Sequence, residues 1–336
     1  MDIRARKQDH VELTADGASD HTKTTGFERF DLWHEALPEL DYADTDPQAT
    51  LLGRRFHLPV FISSMTGGYE GATEVNRILA GIAQTRNLPM GVGSQRAMLL
   101  DPALEPTFRV VREEAPTAFI AANIGGAQLV RGWTSDHARR IVDAIRADAV
   151  IVHLNPAQEL VQPEGDRCFR GVLTGIESLA ASCGLPVIVK ETGAGFTRST
   201  AQRLKDVGVS VLDVAGAGGT SWTRVEARRR SDNDHTLDEW GIPTAVSLSQ
   251  VAPLKTDAFR IIASGGIRTE TDIAKAMCLG ADMVAMAQPV MTHLHAGGAD
   301  AVHRWLDALE RRLRNLLLLT GCRFPKEWGP SHLRTL

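Results

Sequence analysis

The segment from His153 to Glu159 concentrates side chains that can do chemistry. It reads HLNPAQE and contains an imidazole, carboxamides at Asn155 and Gln158, and a carboxylate. Residues two apart on a strand point to the same side, so His153 and Asn155 would face one site. Glu159 can contribute to a Mg²⁺ site that water and substrate phosphates complete. The segment therefore predicts a polar site that combines a metal with a phosphorylated ligand.

A second interpretation of the acidic residues in this region stays open. Glu159, Glu164, Asp166 and Arg167 lie close together in the sequence and could instead form an ion-pair cluster on the surface. Exposed ion pairs contribute little to stability and need no ligand. For Asp166 and Arg167 neither interpretation is favoured over the other.

Two glycine-rich segments could hold an anion. One reads SGGIR from Ser264 to Arg268, and the other reads GAGGT from Gly216 to Thr220. Glycine lets backbone N–H groups approach a phosphate closely, and the positive end of a helix expected from about Thr271 adds attraction. The alternative is a tight turn that needs glycine only for its backbone angles. SGGIR ends the seventh of eight apolar runs in the chain, and this position favours a phosphate site.

Small hydrogen-bonding side chains and one lysine accompany these segments. Together they suit a flat, polar, phosphorylated ligand such as flavin mononucleotide (FMN). Lys190 ends the fifth apolar run and would supply the cation that stabilises a reduced flavin. The alternative is a structural lysine paired with Glu191 or with an acid across the barrel, which is less common at the end of a buried strand. The other groups of this ring are Ser63 to Gly68, Ser94 and Asn123.

Eight short apolar runs position these residues, and almost every run ends in polar or glycine residues. A continuous apolar run is typical of a parallel strand that is buried on both faces. Polar ends on all runs would collect the chemistry on one rim, as in a (β/α)8 TIM barrel. An open doubly wound sheet would also alternate strands and helices, but no glycine fingerprint follows the first run. The runs cover residues 58–64, 88–94, 118–123, 149–155, 185–190, 209–213, 259–266 and 281–288.

The segments between the runs predict helices and the organisation of the chain. Helical spacing of apolar residues predicts helices over 71–86 and 135–147, and further helices are expected over 200–207, 271–279 and 299–319. A polar extension and lid is expected over 1–55, and an FMN-binding barrel over 56–336. A long charged loop is expected after strand six, over 220–243, either as a flexible active-site flap or as a simple surface insertion.

Composition excludes several classes of function. A net charge of -4 gives no reason to expect nucleic-acid or membrane binding, and Arg228 to Arg230 would form a short solvated basic run. The four cysteines are scattered without a CxxC pair, which argues against a zinc site or a disulfide framework. The first residues lack the apolar core of a signal peptide, and 313–319 is too short to span a bilayer. We expect a soluble, cytoplasmic protein.

Several motifs together resemble the type 2 isopentenyl-diphosphate isomerase family, in order and over nearly the whole chain. The resemblance implies a (β/α)8 enzyme that converts isopentenyl diphosphate into dimethylallyl diphosphate. It also implies dependence on reduced FMN and Mg²⁺, NADPH as the usual reductant, and a homotetramer or homooctamer. The motifs are RKQDH (6–10), SMTGG (64–68), GVGSQR (91–96), HLNPAQE (153–159), QPEGD (162–166), DVAGAGGTSW (213–222) and ASGGIR (263–268).

The resemblance also implies roles for individual residues. Contacts to the substrate diphosphate fall on Arg6, Lys7, Ser94, Gln95 and Arg96, with Gln158 as a further substrate contact and Glu159 as the magnesium ligand. Contacts to the flavin fall on Ser64, Met65, Thr66, Ser94, Asn123, Lys190, Thr220, Gly265, Gly266, Ala287 and Gln288. Asp9 departs from the family pattern, which more often has glutamate there.

The reaction so implied moves a proton onto one carbon and removes one from another. Near the alkene the sequence offers Gln158, His153 and Asn155 as catalytic residues. A carboxamide is a very poor acid and His153 would contact the diphosphate, so the reduced flavin is the best candidate for the acid–base group. Gln158 would orient or relay, while Arg6 and Lys7 would close over the substrate.

Other functions on the same barrel explain these residues less well. An FMN-dependent 2-hydroxy-acid oxidase or dehydrogenase needs a basic histidine and an arginine after strands six to seven, where DVAGAGGT stands instead. A reaction like that of inosine-monophosphate dehydrogenase needs an activated cysteine, and nothing near Cys168 suggests activation of its thiol. A flavin-binding scaffold without activity leaves the convergence of cations, carboxamides and a carboxylate unexplained.

Overall fold

Eight parallel strands close into a barrel in the computed structural model, which describes residues 10, 13, 17–130, 132–230 and 235–336. The barrel strands follow one another in chain order, and the last pairs with the first. Each predicted run overlaps one of them, so the predicted (β/α)8 fold is confirmed. Three strands precede the barrel, namely β1 (Phe30–Leu32), β2 (Ala49–Leu51) and β3 (Arg54–Phe56); the barrel contains β4 (Val60–Ile62), β5 (Met90–Gly91), β6 (Ile120–Gly125), β7 (Ala149–Leu154), β8 (Val187–Glu191), β9 (Val211–Asp213), β10 (Arg260–Ala263) and β11 (Met283–Met286); β12 (Leu333–Thr335) follows.

Helices surround the barrel and connect its strands. Those predicted over 71–86, 135–147, 200–207 and 271–279 are confirmed, with ends that differ by one or two residues. The helix predicted over 299–319 is the second part of a longer element that is kinked at Gly297 and Gly298. The helices are α1 (Ala72–Arg86), α2 (Arg96–Leu100), α3 (Pro106–Glu114), α4 (Ser135–Ile145), α5 (Pro156–Val161), α6 (Val172–Ser182), α7 (Arg198–Asp206), α8 (Trp222–Arg230), α9 (Thr244–Val251), α10 (Glu270–Cys278) and α11 (Gln288–Leu319).

Short 3₁₀ turns complete the secondary structure. They lie at Phe27–Arg29, Tyr42–Asp44, Pro102–Leu104, Gly126–Val130, Ala252–Leu254, Pro325–Glu327 and Pro330–His332. Within the described part of the chain, no helix has the length and apolar character that crossing a membrane requires.

The apolar runs form strands because both faces of each strand are buried. Along β7, Val150 and Val152 pack in the cluster between sheet and helices, whereas Ala149 and Ile151 pack in the cluster inside the barrel. This alternation follows the two-residue repeat of a strand. A run that is apolar at every position is therefore the expected sequence of a strand with helices on one side and the filled barrel on the other.

The N-terminal extension contributes to the barrel core. Strands β2 and β3 pair as an antiparallel hairpin, and the side chains of Leu51 and Phe56 are buried in the inner cluster. The ring of Phe56 meets that of Phe119 edge to face, with 5.9 Å between their centroids. Since Phe119 lies just before β6, the hairpin closes the N-terminal end of the barrel. The boundary predicted between residues 55 and 56 falls inside this hairpin.

The long loop predicted after strand six contains an ordered helix. Helix α8 spans Trp222–Arg230, and Val225 and Glu226 on it are completely buried. The side chain of Arg229 is 5% exposed, so the interpretation of Arg228 to Arg230 as a solvated basic run is wrong. The physical reason is a buried acid on the same helix, which needs the guanidinium as a partner.

Truncation of a buried side chain in the hairpin of β2 and β3 tests whether the hairpin stabilises the fold. Phe56→Ala removes a buried aromatic ring from the inner cluster, and we expect the free energy of unfolding to fall by about 3–5 kcal/mol. Chemical denaturation measures this change. As a control, Leu100→Ala at a position that is 68% exposed should change it by less than about 0.5 kcal/mol. An equally small effect of Phe56→Ala would show that the extension is an appendage.

Candidate active site

One cavity opens at the carboxyl ends of the barrel strands and encloses about 330 Å³. This volume lies within the range of small-molecule sites. Every barrel strand or the loop after it contributes to the lining. The predicted residues that line the cavity are Ser64, Met65, Thr66, Ser94, Arg96, Asn123, His153, Asn155, Gln158, Glu159, Lys190, Thr220, Gly265, Gly266, Ala287 and Gln288.

One predicted contact to the substrate, Gln95, does not line this cavity. Gln95 is completely buried beneath it, where its Nε2 donates to the Ile141 carbonyl at 2.9 Å and its Oε1 accepts from the Asn123 amide at 3.0 Å. We therefore correct the prediction for Gln95: its polar atoms support the backbone of neighbouring elements and do not face a ligand. Arg6 and Lys7 lie outside the described residues.

The end of β7 and the start of α5 hold the predicted catalytic groups in two hydrogen-bonded sets. His153 Nδ1 lies 2.8 Å from Asn123 Oδ1 on the neighbouring strand. The Asn155 Nδ2 group donates to Gln158 Oε1 at 3.0 Å and lies 3.2 Å from Glu159 Oε1. Pro156 begins helix α5 directly after Asn155, a position where its missing N–H costs nothing. The short helix thus turns Gln158 and Glu159 back towards the strand end.

A buried acid on α8, which no sequence pattern indicates, joins the second of these sets. Glu226 Oε1 accepts hydrogen bonds from Gln158 Nε2 at 3.0 Å and lies 2.8 Å from His10 Nε2. Its Oε2 accepts from Arg229 Nε at 2.9 Å. Burial alone would raise the pKa of Glu226, but the contacts of His10, Gln158 and Arg229 outweigh it and lower the pKa. Glu226 is therefore a charged acceptor that fixes the orientation of the Gln158 amide.

Asp166 connects the cationic and the acidic sides of the cavity. Its carboxylate accepts hydrogen bonds from Arg96 Nη1 at 3.3 Å and from Gln128 Nε2 at 3.1 Å. Its backbone N–H donates to Glu159 Oε2 at 2.6 Å. Because Glu159 and Asp166 are both buried, the alternative of a surface ion-pair cluster does not hold for them.

The other acid of that stretch has a different partner. Glu164 Oε1 pairs with Arg229 Nη2 at 2.7 Å, so Arg229 bridges Glu164 and the buried Glu226. Arg167 is exposed. The chain from Glu164 through Arg229 to Glu226 fixes the loop after α5 against helix α8.

The two glycine-rich segments pack backbone to backbone. A Cβ on Gly265 would collide with the carbonyl of Gly216, and one on Gly266 would collide with that of Gly218. Both residues have positive φ angles, 99° and 74°. Glycine is therefore needed here for its backbone angles, as the turn interpretation predicts. Among the described residues, however, neither amide N–H of Gly265 and Gly266 has a hydrogen-bond acceptor. Two such donors side by side fit a phosphate.

Further polar groups fit a flavin. The buried hydroxyl of Ser64 has no hydrogen-bond partner in the described part of the chain, which is costly unless a ligand supplies one. Lys190 Nζ donates to the main-chain carbonyl of Glu191 at 2.7 Å, so it is not paired with the Glu191 carboxylate. Burial raises the pKa of Asp213, against the opposing effects of the Lys190 charge and the hydrogen bond from Ser264.

Metal binding by protein groups alone is not supported. Within the residues that the structure describes, no three histidine, cysteine, aspartate or glutamate side chains group closely enough to hold an ion. Glu159 is a single carboxylate at the cavity wall. A Mg²⁺ ion there would need substrate oxygens and water, as this ion commonly does.

Fold and site together place the chain in the FMN-dependent dehydrogenase class of (β/α)8 barrels. The sequence model of that family, described as FMN-dependent dehydrogenase, matches residues 157–335. A flavocytochrome b2 mutant superposes with a TM-score of 0.72 at 19% identity, covering 98% of this chain and 82% of that one. A mandelate oxidase mutant with (S)-mandelic acid gives 0.66 at 18% identity, covering 98% of each chain. At these identities the likeness shows the fold alone.

Relatives of much higher identity define the family more closely. The isopentenyl-diphosphate delta-isomerase of Chlorobium luteolum is 45% identical over 334 residues, covering 94% of this chain and 91% of the relative. That of Stutzerimonas stutzeri is 45% identical over 324 residues, covering 94% and 93%. That of Aeropyrum pernix is 40% identical over 326 residues, covering 95% and 87%. The chain belongs to the isopentenyl-diphosphate delta-isomerase family.

Replacement of Arg229 tests whether its ion pair with Glu226 on α8 is buried. Arg229→Met leaves the Glu226 charge without its guanidinium, and we expect a loss of about 3–5 kcal/mol in the free energy of unfolding. Arg229→Met combined with Glu226→Leu should recover most of it. Arg139→Met, at a side chain that is 66% exposed, is the control. If Arg229→Met is as mild as the control, the guanidinium is solvated and our correction fails.

Proposed function

We propose that the chain converts isopentenyl diphosphate into dimethylallyl diphosphate with reduced FMN and Mg²⁺ bound in this cavity. The observation that carries the proposal is the convergence of two different sets of groups in one cavity. Donors that suit a phosphate lie at Gly265 and Gly266, and the hydrogen-bonded residues Asn155, Gln158 and Glu159 follow β7. Membership of the isomerase family agrees with this assignment.

The cofactor would be held by strand ends from both halves of the barrel. The amides of Gly265 and Gly266 would receive the FMN phosphate, and the partnerless hydroxyl of Ser64 would bond to a polar atom of the flavin. Lys190 would place its positive charge beside the reduced, anionic flavin. When bound, reduced FMN would supply an acid–base group and an electron-rich ring beside the alkene.

The substrate diphosphate would bind between Arg96 and Glu159. Asp166 holds Arg96 by its side chain and Glu159 by its backbone, so the cation and the metal-binding carboxylate keep a fixed separation. Ser94 lines the same cavity, and we propose Arg6 and Lys7 as further contacts that close over the substrate. Binding of the diphosphate, a part of the substrate that does not react, would supply the energy that positions the alkene.

Gln158 would orient the alkene without acting as the proton donor itself. A carboxamide is a very weak acid, and both ends of this one are engaged: Nε2 donates to Glu226 and Oε1 accepts from Asn155. A side chain held at both ends adopts one rotamer, which favours a single pose of the substrate. His153, bonded to Asn123, would stabilise the substrate beside it.

Three further properties complete the proposal. We infer NADPH as the reductant of FMN, a homotetramer or homooctamer as the assembly, and the cytoplasm as the location. The alternative function is oxidation of a 2-hydroxy acid. Only the fold and the family model support it. The position of Glu159 and Arg96 across one cavity favours a diphosphate over a small carboxylic acid.

An assay of two reactions under two redox states tests the proposal. With FMN, Mg²⁺ and isopentenyl diphosphate under anaerobic conditions, we expect dimethylallyl diphosphate only after dithionite reduces the flavin. Lactate should not be oxidised. NMR of the products measures isomerisation, and oxygen uptake in a separate aerobic assay with oxidised FMN measures lactate oxidation. Turnover with oxidised FMN, or oxidation of lactate without isomerisation, would contradict the assignment.

A magnesium titration separates the roles of two neighbouring residues. Glu159→Gln keeps the size but removes the charge, so it should shift the Mg²⁺ requirement to much higher concentration. Gln158→Asn withdraws the carboxamide from Glu226 and Asn155, so kcat should fall about 10- to 100-fold with little change in the Mg²⁺ curve. The two variants are matched controls for one another. The reverse pattern would show that the two assignments must be exchanged.

A further inference from the structure

Residues 19–21, here called the strap, run alongside the glycine-rich loop after β9. His21 N–H donates to the Gly219 carbonyl at 2.8 Å, and Ser221 N–H donates to the Ser19 carbonyl at 2.8 Å. Asp20 and Thr220 lie opposite each other as an antiparallel bridge. The strap therefore forms a third chain segment over the loops that would hold the FMN phosphate.

The strap directs a carboxylate at polar groups on the wall of the cavity. Asp20 Oδ2 pairs with Arg268 Nη2 at 2.6 Å and accepts from Gln288 Nε2 at 3.3 Å. Asp20 Oδ1 accepts from Thr220 Oγ1 at 3.3 Å. Arg268, Gln288 and Thr220 all line the cavity, next to the amides of Gly265 and Gly266. These three donors therefore already bind an anion that belongs to the protein, the Asp20 carboxylate.

A carboxylate and a phosphate bind the same donors. Both are anions that accept hydrogen bonds from guanidinium, amide and hydroxyl groups. Two such anions side by side repel each other, and repulsion at short range weakens binding severalfold or more. Asp20 and a phosphate therefore cannot both use Arg268, Gln288 and Thr220 at full strength.

We propose that Asp20 competes with the FMN phosphate for these three donors and so sets how tightly the cofactor binds. This inference rests on the proposed function. In the flavin-free protein the carboxylate neutralises Arg268 and keeps the strap attached to the loop. When the phosphate arrives, Arg268, Gln288 and Thr220 exchange the carboxylate for it, and the Asp20 side chain moves to solvent.

The competition acts on the phosphate only. Riboflavin has the same ring system as FMN but no phosphate, so Asp20 does not oppose its binding. The ratio of FMN affinity to riboflavin affinity therefore reports on Asp20 separately from every contact to the flavin ring.

Binding measurements on two variants test the proposal. Asp20→Asn keeps the size of the side chain and removes its charge, and the Kd for FMN should fall about tenfold because the like-charge repulsion is gone. The Kd for riboflavin should stay unchanged. Asp31→Asn, which removes a carboxylate paired with Arg334 at 2.8 Å, is the matched control and should change neither. Flavin fluorescence quenching gives both constants.

A second readout moves in the opposite direction. Without flavin, Asp20→Asn loses the ion pair with Arg268, so its Tm should fall slightly while its affinity for FMN rises. Asp20→Ser serves the same purpose if the asparagine variant folds poorly. Unchanged or weaker FMN binding in these variants would overturn the inference, because it would show that Asp20 holds Arg268 in place for the phosphate.

The outcome also separates this inference from the proposed function. A wild-type protein that binds neither FMN nor riboflavin overturns both. A protein that binds FMN and isomerises isopentenyl diphosphate, but whose Asp20→Asn variant has the wild-type ratio of affinities, overturns this inference alone.

Discussion

The parallel closure of the barrel is the constraint on which the site depends. All eight strands end on the same side, so the residue after each strand reaches one common cavity. The register then sets which groups meet: His153 lies opposite Lys190, and Lys190 lies opposite Asp213, on three successive strands. An imidazole, an ammonium and a carboxylate are thus held in one layer by main-chain hydrogen bonds, before any side-chain contact is formed.

A second constraint is the buried charge of Glu226. Removing a carboxylate from water is costly, so its contacts with Arg229, His10 and Gln158 must persist for the fold to be stable. One consequence is that helix α8 is fixed to helix α5, which follows β7. Another is that His10, the described residue of the RKQDH motif, is drawn to the cavity. The energetic need to pair one buried acid therefore also orders Gln158.

The sequence was a good guide to the barrel and to its rim. Strands that are buried on both faces leave continuous apolar runs, and the polar residues that end those runs reach the cavity with little ambiguity. Ser94, Gln95 and Arg96 show where this reasoning stops. All three follow β5, but consecutive side chains point in different directions, and only the register shows that Gln95 faces the protein interior.

Two further features were outside the reach of sequence patterns. Helix α8 is rich in arginine and its sequence predicts a solvated loop, since nothing in the local sequence shows that Glu226 is buried and paired with Arg229. The hairpin at β2 and β3 buries only a few side chains, Leu51 and Phe56 among them, in an otherwise polar extension. In both cases a partner that explains the burial is distant in sequence: Gln158 on α5 for Glu226, and the inner cluster of the barrel for the hairpin.

A crystal structure with FMN and isopentenyl diphosphate bound tests the central claim most directly. That claim is that the two phosphorylated ligands occupy opposite ends of one cavity. We expect the FMN phosphate within hydrogen-bonding distance of the Gly266 amide and the diphosphate between Arg96 and Glu159. A structure in which the FMN phosphate lies on Arg96, or the diphosphate lies on Gly266, would contradict the account.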